Sequence, residues 1–206
     1  MIQPFIASFT GTAVEFFESA AIAYAIYRAG YPREALSALI LGHILVFSIA
    51  FLIAPLYELF PIFWMRLVAA ILLTLMGLNW TVKSLIRIIK HKRPRWAEDP
   101  LGKVHVSPAK SSVVKFSPFV FFVMGKSSVI EAGEILLVVF PVAAATAAWK
   151  EVILGVVSGI TAVSLLVVAL HGQLKNIPEV KLKLGIGLLL TLMGISWLIE
   201  IFIESN

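Results

Sequence analysis

The chain has 206 residues, of which 60% are hydrophobic and only 14% charged, with a mean hydropathy of +0.96; such a composition excludes an ordinary soluble domain and requires a lipid solvent. The net charge of +5 would point to nucleic acid in a soluble protein, but its concentration in one central stretch assigns it to a loop facing anionic headgroups, and no nucleic-acid signature accompanies it.

Proline, glycine and charge clusters divide the sequence into apolar stretches long enough to span a bilayer. The first runs over about 4–29. It has no basic segment before it and carries two acids in its middle, so it is expected to stay in the protein rather than to be removed as a signal peptide. The second and third are expected at about 33–56 and 62–88. Residues 89–117 form the one long polar stretch, with Lys90, His91, Lys92, Arg93, Pro94 and Arg95 followed by Glu98, Asp99, Pro100 and a Ser/Lys-rich run; this reads as a mobile linker. Three more spans follow at about 118–146, 151–172 and 181–203. The expected fold is an all-α membrane protein of about six transmembrane helices, divided into a first three-helix unit (1–88), a basic linker (89–117) and a second three-helix unit (118–206).

The two units are related. Leu72-Leu73-Thr74-Leu75-Met76-Gly77 with Trp80 returns 117 residues later as Leu189-Leu190-Thr191-Leu192-Met193-Gly194 with Trp197. The same offset pairs Pro61 with Pro178, Arg66 with Lys183, Gly42 with Gly159 and Arg33-Glu34 with Lys150-Glu151, and an offset of 116 superimposes Glu15 and Glu18 on Glu131 and Glu134. Internal repetition of this kind is the signature of a duplicated architecture. Three helices per unit is an odd number, so the second copy enters the membrane the opposite way up, giving an inverted 3+3 repeat. Loop charge agrees: with the linker in the cytoplasm, Arg28, Arg33, the central cluster, Lys175, Lys181 and Lys183 fall inside, and both termini fall outside. The expected location is the cytoplasmic membrane, multi-pass, with both termini out.

The residues with chemical potential are acids. Glu15 and Glu18 lie near the middle of the first span, and Glu131 and Glu134 near the middle of the fourth. A carboxylate at a helix centre costs roughly 2.5–3.5 kcal/mol on insertion scales, so two per helix need compensation. Spacing i, i+3 puts both acids of a pair on one helix face, and in an inverted repeat the two faces meet near the midplane, bringing four carboxylates together. Such oxygen-only ligation suits a hard or borderline cation, iron or manganese above all. The competing reading has the acids bonded to hydroxyls or to Lys126 and holding helices in register. His43, about ten residues into the second span, is a candidate accessory ligand or a hydrogen-bonded packing residue, and His171 is expected at an interface. Lys126 is the candidate charge-balancing residue, or a snorkelling one. Gly155 and Gly159, with Ala38 and Gly42 as their repeat partners, read as close helix contacts, and Trp64, Trp80, Trp96, Trp149 and Trp197 read mostly as interfacial anchors. Cysteine is absent, which excludes disulfides and thiolate ligands. No nucleophile–base pair, phosphate loop or haem motif is present, so neither an enzyme activity nor an organic cofactor is expected.

On the motifs Glu15-Phe16-Phe17-Glu18 and Glu131-Ala132-Gly133-Glu134, together with the repeat pattern and the small residues Gly11 and Thr12, the chain resembles the oxidase-dependent iron permeases and related prokaryotic iron/lead transporters. That family is marked by Arg-Glu-x-x-Glu in its first and fourth spans; here Val14 and Ile130 stand in place of the two arginines. The resemblance implies iron transport across the cytoplasmic membrane, with the acidic pairs binding the ion. Metal-cation transport is therefore the expected function, with the bilayer and the metal as partners and association into a homo-oligomer or a larger membrane complex compatible with the chain. The alternative is a non-transporting scaffold or accessory subunit of a respiratory or oxidase complex.

Overall fold

A computed structural model of the protein describes residues 2–59, 61–109, 116–170 and 177–204. Six long helices run through it: α1 (Gln3–Arg28), α2 (Pro32–Ile53), α3 (Ile62–Ile89), α6 (Pro118–Thr146), α7 (Trp149–Leu170) and α8 (Glu179–Glu204), with two short helices, α4 (Arg95–Glu98) and α5 (Pro100–Lys103), between the halves. Proline sits in the first turn of α1, α2 and α6, where its missing N–H has no intrahelical role and its fixed φ suits the helix. Ser117 adds a side-chain cap to α6 by accepting from the Val120 N–H at 3.4 Å. Pro61 stands at the cap position of α3.

Five of these helices, all except α1, are long and apolar enough to cross a membrane. Their outer faces carry exposed Ile40, Ile44, Ile71, Leu154 and Leu165, a surface that water would not tolerate. The interior is the reverse: Ser8, Thr12, Glu15, Ser19, Ser84 and Ser128 are fully buried. α1 is interrupted by Glu15 and Glu18 and buries much of its length among α2, α6, α7 and α8.

With lipid on one side and protein on the other, helices gain by close packing of small residues rather than by hydrophobic contrast. The tightest contacts are reciprocal between the halves. A Cβ on Gly77 would lie 2.5 Å from the Thr191 backbone nitrogen and 2.7 Å from the Gly187 carbonyl oxygen; on Gly194 it would lie 2.6 Å from the Thr74 nitrogen and 2.8 Å from the Ala70 oxygen. Each residue of the first set stands 117 positions from its counterpart in the second. Likewise Gly42 meets Ser128, and Gly159 meets Thr12. α3 therefore lies on α8 as α8 lies on α3, and the contact of α2 with α6 matches that of α7 with α1. The packing role read for Gly155 and Gly159 is observed directly: both abut α1, at Phe5, Ser8 and Phe9 for Gly155 and at Phe9 and Thr12 for Gly159.

The linker differs from its expectation. Residues 110–115, which hold most of the Ser/Lys-rich run, and residues 171–176, with His171 and Lys175, lie outside the described residues. The part preceding them is docked. Trp96, Ala97, Val104 and Val106 are buried, Trp96 meets Phe17 edge-on with centroids 5.6 Å apart, and the Ala109 N–H donates to the Ala29 carbonyl at 2.8 Å. Arg93 donates from Nε and Nη2 to both Glu179 oxygens at 2.7 and 2.5 Å, and from Nη2 to the Ile177 carbonyl at 3.2 Å. Those bonds with Glu179 hold the Arg93 guanidinium above its ordinary pKa. The physical reason for the difference is the apolar residues set between the charges: their burial offsets the ordering entropy that a uniformly polar linker could not.

Gly187→Ala is expected to lower stability by about 1–3 kcal/mol, because its Cβ would lie 2.8 Å from the Thr81 nitrogen and neither backbone can yield freely. Gly185→Ala, with nothing within 4 Å of its Cβ, is expected to change stability by no more than about 0.5 kcal/mol. Thermal unfolding of the two variants in detergent compares them.

Candidate metal centre

α1 and α6 pack on each other and bring their acids into one interior region. Glu15 is fully buried, and Glu18 and Glu131 are buried. One carboxylate oxygen from each of these three lies within 4.8 Å of the others, a group that could hold a metal ion. Two ligands on opposite sides of an ion at 2.0–2.6 Å stand about 4–5 Å apart, so the spacing fits a single hard cation. Glu134 is half-buried and outside that group, but shares the wall of a cavity of about 390 Å³ with Glu18, Glu131, Lys83, Lys103 and Lys183. Three of the four acids are thus gathered and the fourth faces the adjoining space.

The acids are not alone. The Lys183 ammonium, on the second turn of α8, lies 2.8 Å from Glu15 Oε1 and donates to Glu18 Oε1 at 2.7 Å. Its contact with Glu15 is an ion pair in the interior. Lys183 also sits over the Trp80 ring, 4.9 Å from its centroid, within reach of the ring's negative face. From the linker, Lys103 reaches Glu131 at 3.3 Å. Lys183 is only 14% exposed and Lys103 31%, so the first contact is interior and the second opens toward the cavity. Ser8, Thr12 and Ser19 continue the Glu15 face of α1 at helical spacing, and their buried hydroxyls lack hydrogen-bond partners among the described residues. The face is polar along the twelve residues from Ser8 to Ser19.

Sequence reasoning placed two lysines differently. Lys126, the candidate counter-charge, is exposed and makes no ion pair with Glu131 or Glu134; it leads Glu131 by five residues, which turns it away from the acidic face. Lys183, counted among the cytoplasmic loop charges, takes that role. The signal for it was present: Lys183 stands inside the apolar run that begins at Val180, where an ammonium is as costly as a carboxylate and needs a partner. Lys103 had no such signal, because its approach depends on the docked linker. His43 is buried but outside the acidic group. Its Nδ1 lies 2.9 Å from the Leu39 carbonyl oxygen and 2.8 Å from Ser128 Oγ, and its ring meets Phe16 edge-on, so it ties α2 to α6. Trp80 and Trp96 are buried rather than interfacial, while Trp64 is exposed as an anchor should be.

Comparison with protein-family models, with curated proteins and with solved structures finds no match.

Lys183→Met leaves Glu15 and Glu18 buried without their cation and is expected to cost about 3–5 kcal/mol. Lys126→Met, at an exposed position, is expected to stay within about 0.5 kcal/mol. Chemical unfolding in detergent, in the presence of chelator, measures both; equal effects would contradict the assignment of Lys183 as the counter-charge.

Proposed function

We propose that the protein is an integral membrane transporter of a metal cation, iron or manganese, with Glu15, Glu18 and Glu131 as its ion ligands and Glu134 at the approach to them. The observation that carries the proposal is the meeting of three buried carboxylates from two helices within 4.8 Å. Acids in an apolar interior are retained against a large desolvation cost, and their default reading is functional. The donor set is oxygen only, which suits hard and borderline ions. The resemblance of both Glu-x-x-Glu motifs to those of the iron permeases and iron/lead transporters points the same way.

The inverted 3+3 fold with six spans is part of this reading. It is supported by the sequence repeat and by the reciprocal glycine contacts, since a pseudo-two-fold axis exchanges each contact with its partner. On such a fold the α1–α6 contact carries the acids between the two units, and rocking of one unit against the other exposes them to either side. Carboxylates give up protons when a cation arrives, so proton exchange accompanies binding. The cytoplasmic membrane, with both termini outside and the linker inside, follows from the loop charges.

A specific observation favours the scaffold reading too: Lys183 already neutralises part of the acidic group, as a register-fixing network would require. The two readings separate on metal. If the acids hold an ion, Glu15→Gln and Glu131→Gln, at repeat-equivalent positions, each weaken manganous binding at least 10–100-fold, roughly the range that outer-shell partners alone command. Calorimetry on the purified chain and the two variants makes the comparison; wild-type protein that takes up no metal would leave the scaffold reading. Orientation has its own check: tags at both termini should be accessible from outside, and a label near Lys92 only from the cytoplasm. Termini on opposite sides would overturn the inverted repeat.

A further inference from the structure

We infer that Lys183 sets the formal charge of the acidic site, and that the cargo is a divalent rather than a trivalent cation. This rests on the metal-binding reading above and specifies its substrate class. The site's inner members are the three buried carboxylates of Glu15, Glu18 and Glu131 and the largely enclosed ammonium of Lys183. With the acids deprotonated as metal ligands must be, they leave two formal negative charges. The groups facing the site from the surrounding elements add no net negative charge: Glu134 on α6 is negative, whereas Lys103 on α5, 3.3 Å from Glu131, and Lys83 and Arg87 on α3 are positive, so the surroundings disfavour a more highly charged cation further. Lys126 on α6 is exposed.

In an interior of low dielectric the stable loaded state is the neutral one. A divalent ion brings the buried set to neutrality. A trivalent ion leaves one uncompensated positive charge beside Lys183, with the basic rim adding repulsion. Trivalent ions are otherwise the stronger partners of carboxylate oxygen, because attraction scales with charge. A preference for the lower charge is therefore the mark of the built-in lysine. Lys183 cannot easily withdraw, since it is held by Glu18 at 2.7 Å and by the Trp80 face. The fully buried Glu15 meets Lys183 through Oε1, and a carboxylate has about four lone-pair sites, so it keeps acceptor capacity for an ion.

The test measures binding of manganous ion and of gallium(III), a trivalent ion without redox chemistry, to the full chain in detergent. Both are supplied from a nitrilotriacetate buffer and read by calorimetry and by thermal shift. Wild type is expected to bind the divalent ion at least about tenfold more tightly, and Lys183→Met to narrow or invert that ratio by a similar factor. Two variants at partly exposed positions serve where Lys183→Met does not fold: Lys103→Met shifts the ratio toward gallium, and Glu134→Gln shifts it toward manganese. Tighter gallium binding by wild type, or a ratio unmoved in every folded variant, overturns the inference while leaving a metal site in place. Wild type that binds neither ion overturns the metal reading itself, and the inference with it.

Discussion

The contact on which the interior depends is that of Lys183 with Glu15 and Glu18. Three buried carboxylates from α1 and α6 repel one another and resist leaving water, and neither helix carries a cation positioned to compensate them. α8 supplies one, at 2.8 and 2.7 Å. Removing either partner of such a pair from an apolar interior is far more costly than the pair's own net contribution. The position of α8 against α1 is therefore fixed by charge, and Trp80 on α3, lying against the same ammonium, draws the third helix into the arrangement.

Around that centre the helices are held by shape. Gly77, Gly187 and Gly194 let α3 and α8 approach until backbone touches backbone, Gly155 and Gly159 do the same for α7 on α1, and Gly42 admits the Ser128 side chain of α6 against the α2 backbone. These surfaces interlock only in one register, because a methyl group at most of them would collide with main chain. Shape and charge thus specify the same arrangement: the glycine contacts set how far α8 can slide, and the lysine sets where it stops. The docked linker completes the enclosure through Trp96 on Phe17 and Arg93 on Glu179.

Much of this was legible in the sequence. The long helices begin and end within a few residues of their expected places, since proline, glycine and the polar linker punctuate apolar runs too long to be misread. The acids were legible because a carboxylate in such a run is conspicuous, and the glycine contacts because the repeat displayed Gly42 and Gly159 in register. What was not legible depends on three dimensions. Lys126 and Lys183 are both lysines within apolar stretches, and only the rotation of their helices decides which one meets the acids. The linker looked uniformly polar at the scale of composition, whereas Trp96, Val104 and Val106 are spaced so as to bury together only when α1 lies beneath them. Lys103 inherits that difficulty. That α1 is not apolar enough for a span by composition, yet is the best enclosed of the long helices toward its Glu-bearing face, has the same origin: its solvent is the other helices.

The central claim is that the carboxylates of Glu15, Glu18 and Glu131 coordinate one divalent ion while Lys183 stays in place. Anomalous diffraction at the manganese edge, from crystals of the chain grown with manganous ion, tests it most directly. The expected result is a single peak at about 2.0–2.4 Å from an oxygen of each of the three glutamates, with the Lys183 ammonium still beside Glu18. A map with no peak among these acids at saturating manganese, and Lys183 still bridging Glu15 and Glu18, would contradict it.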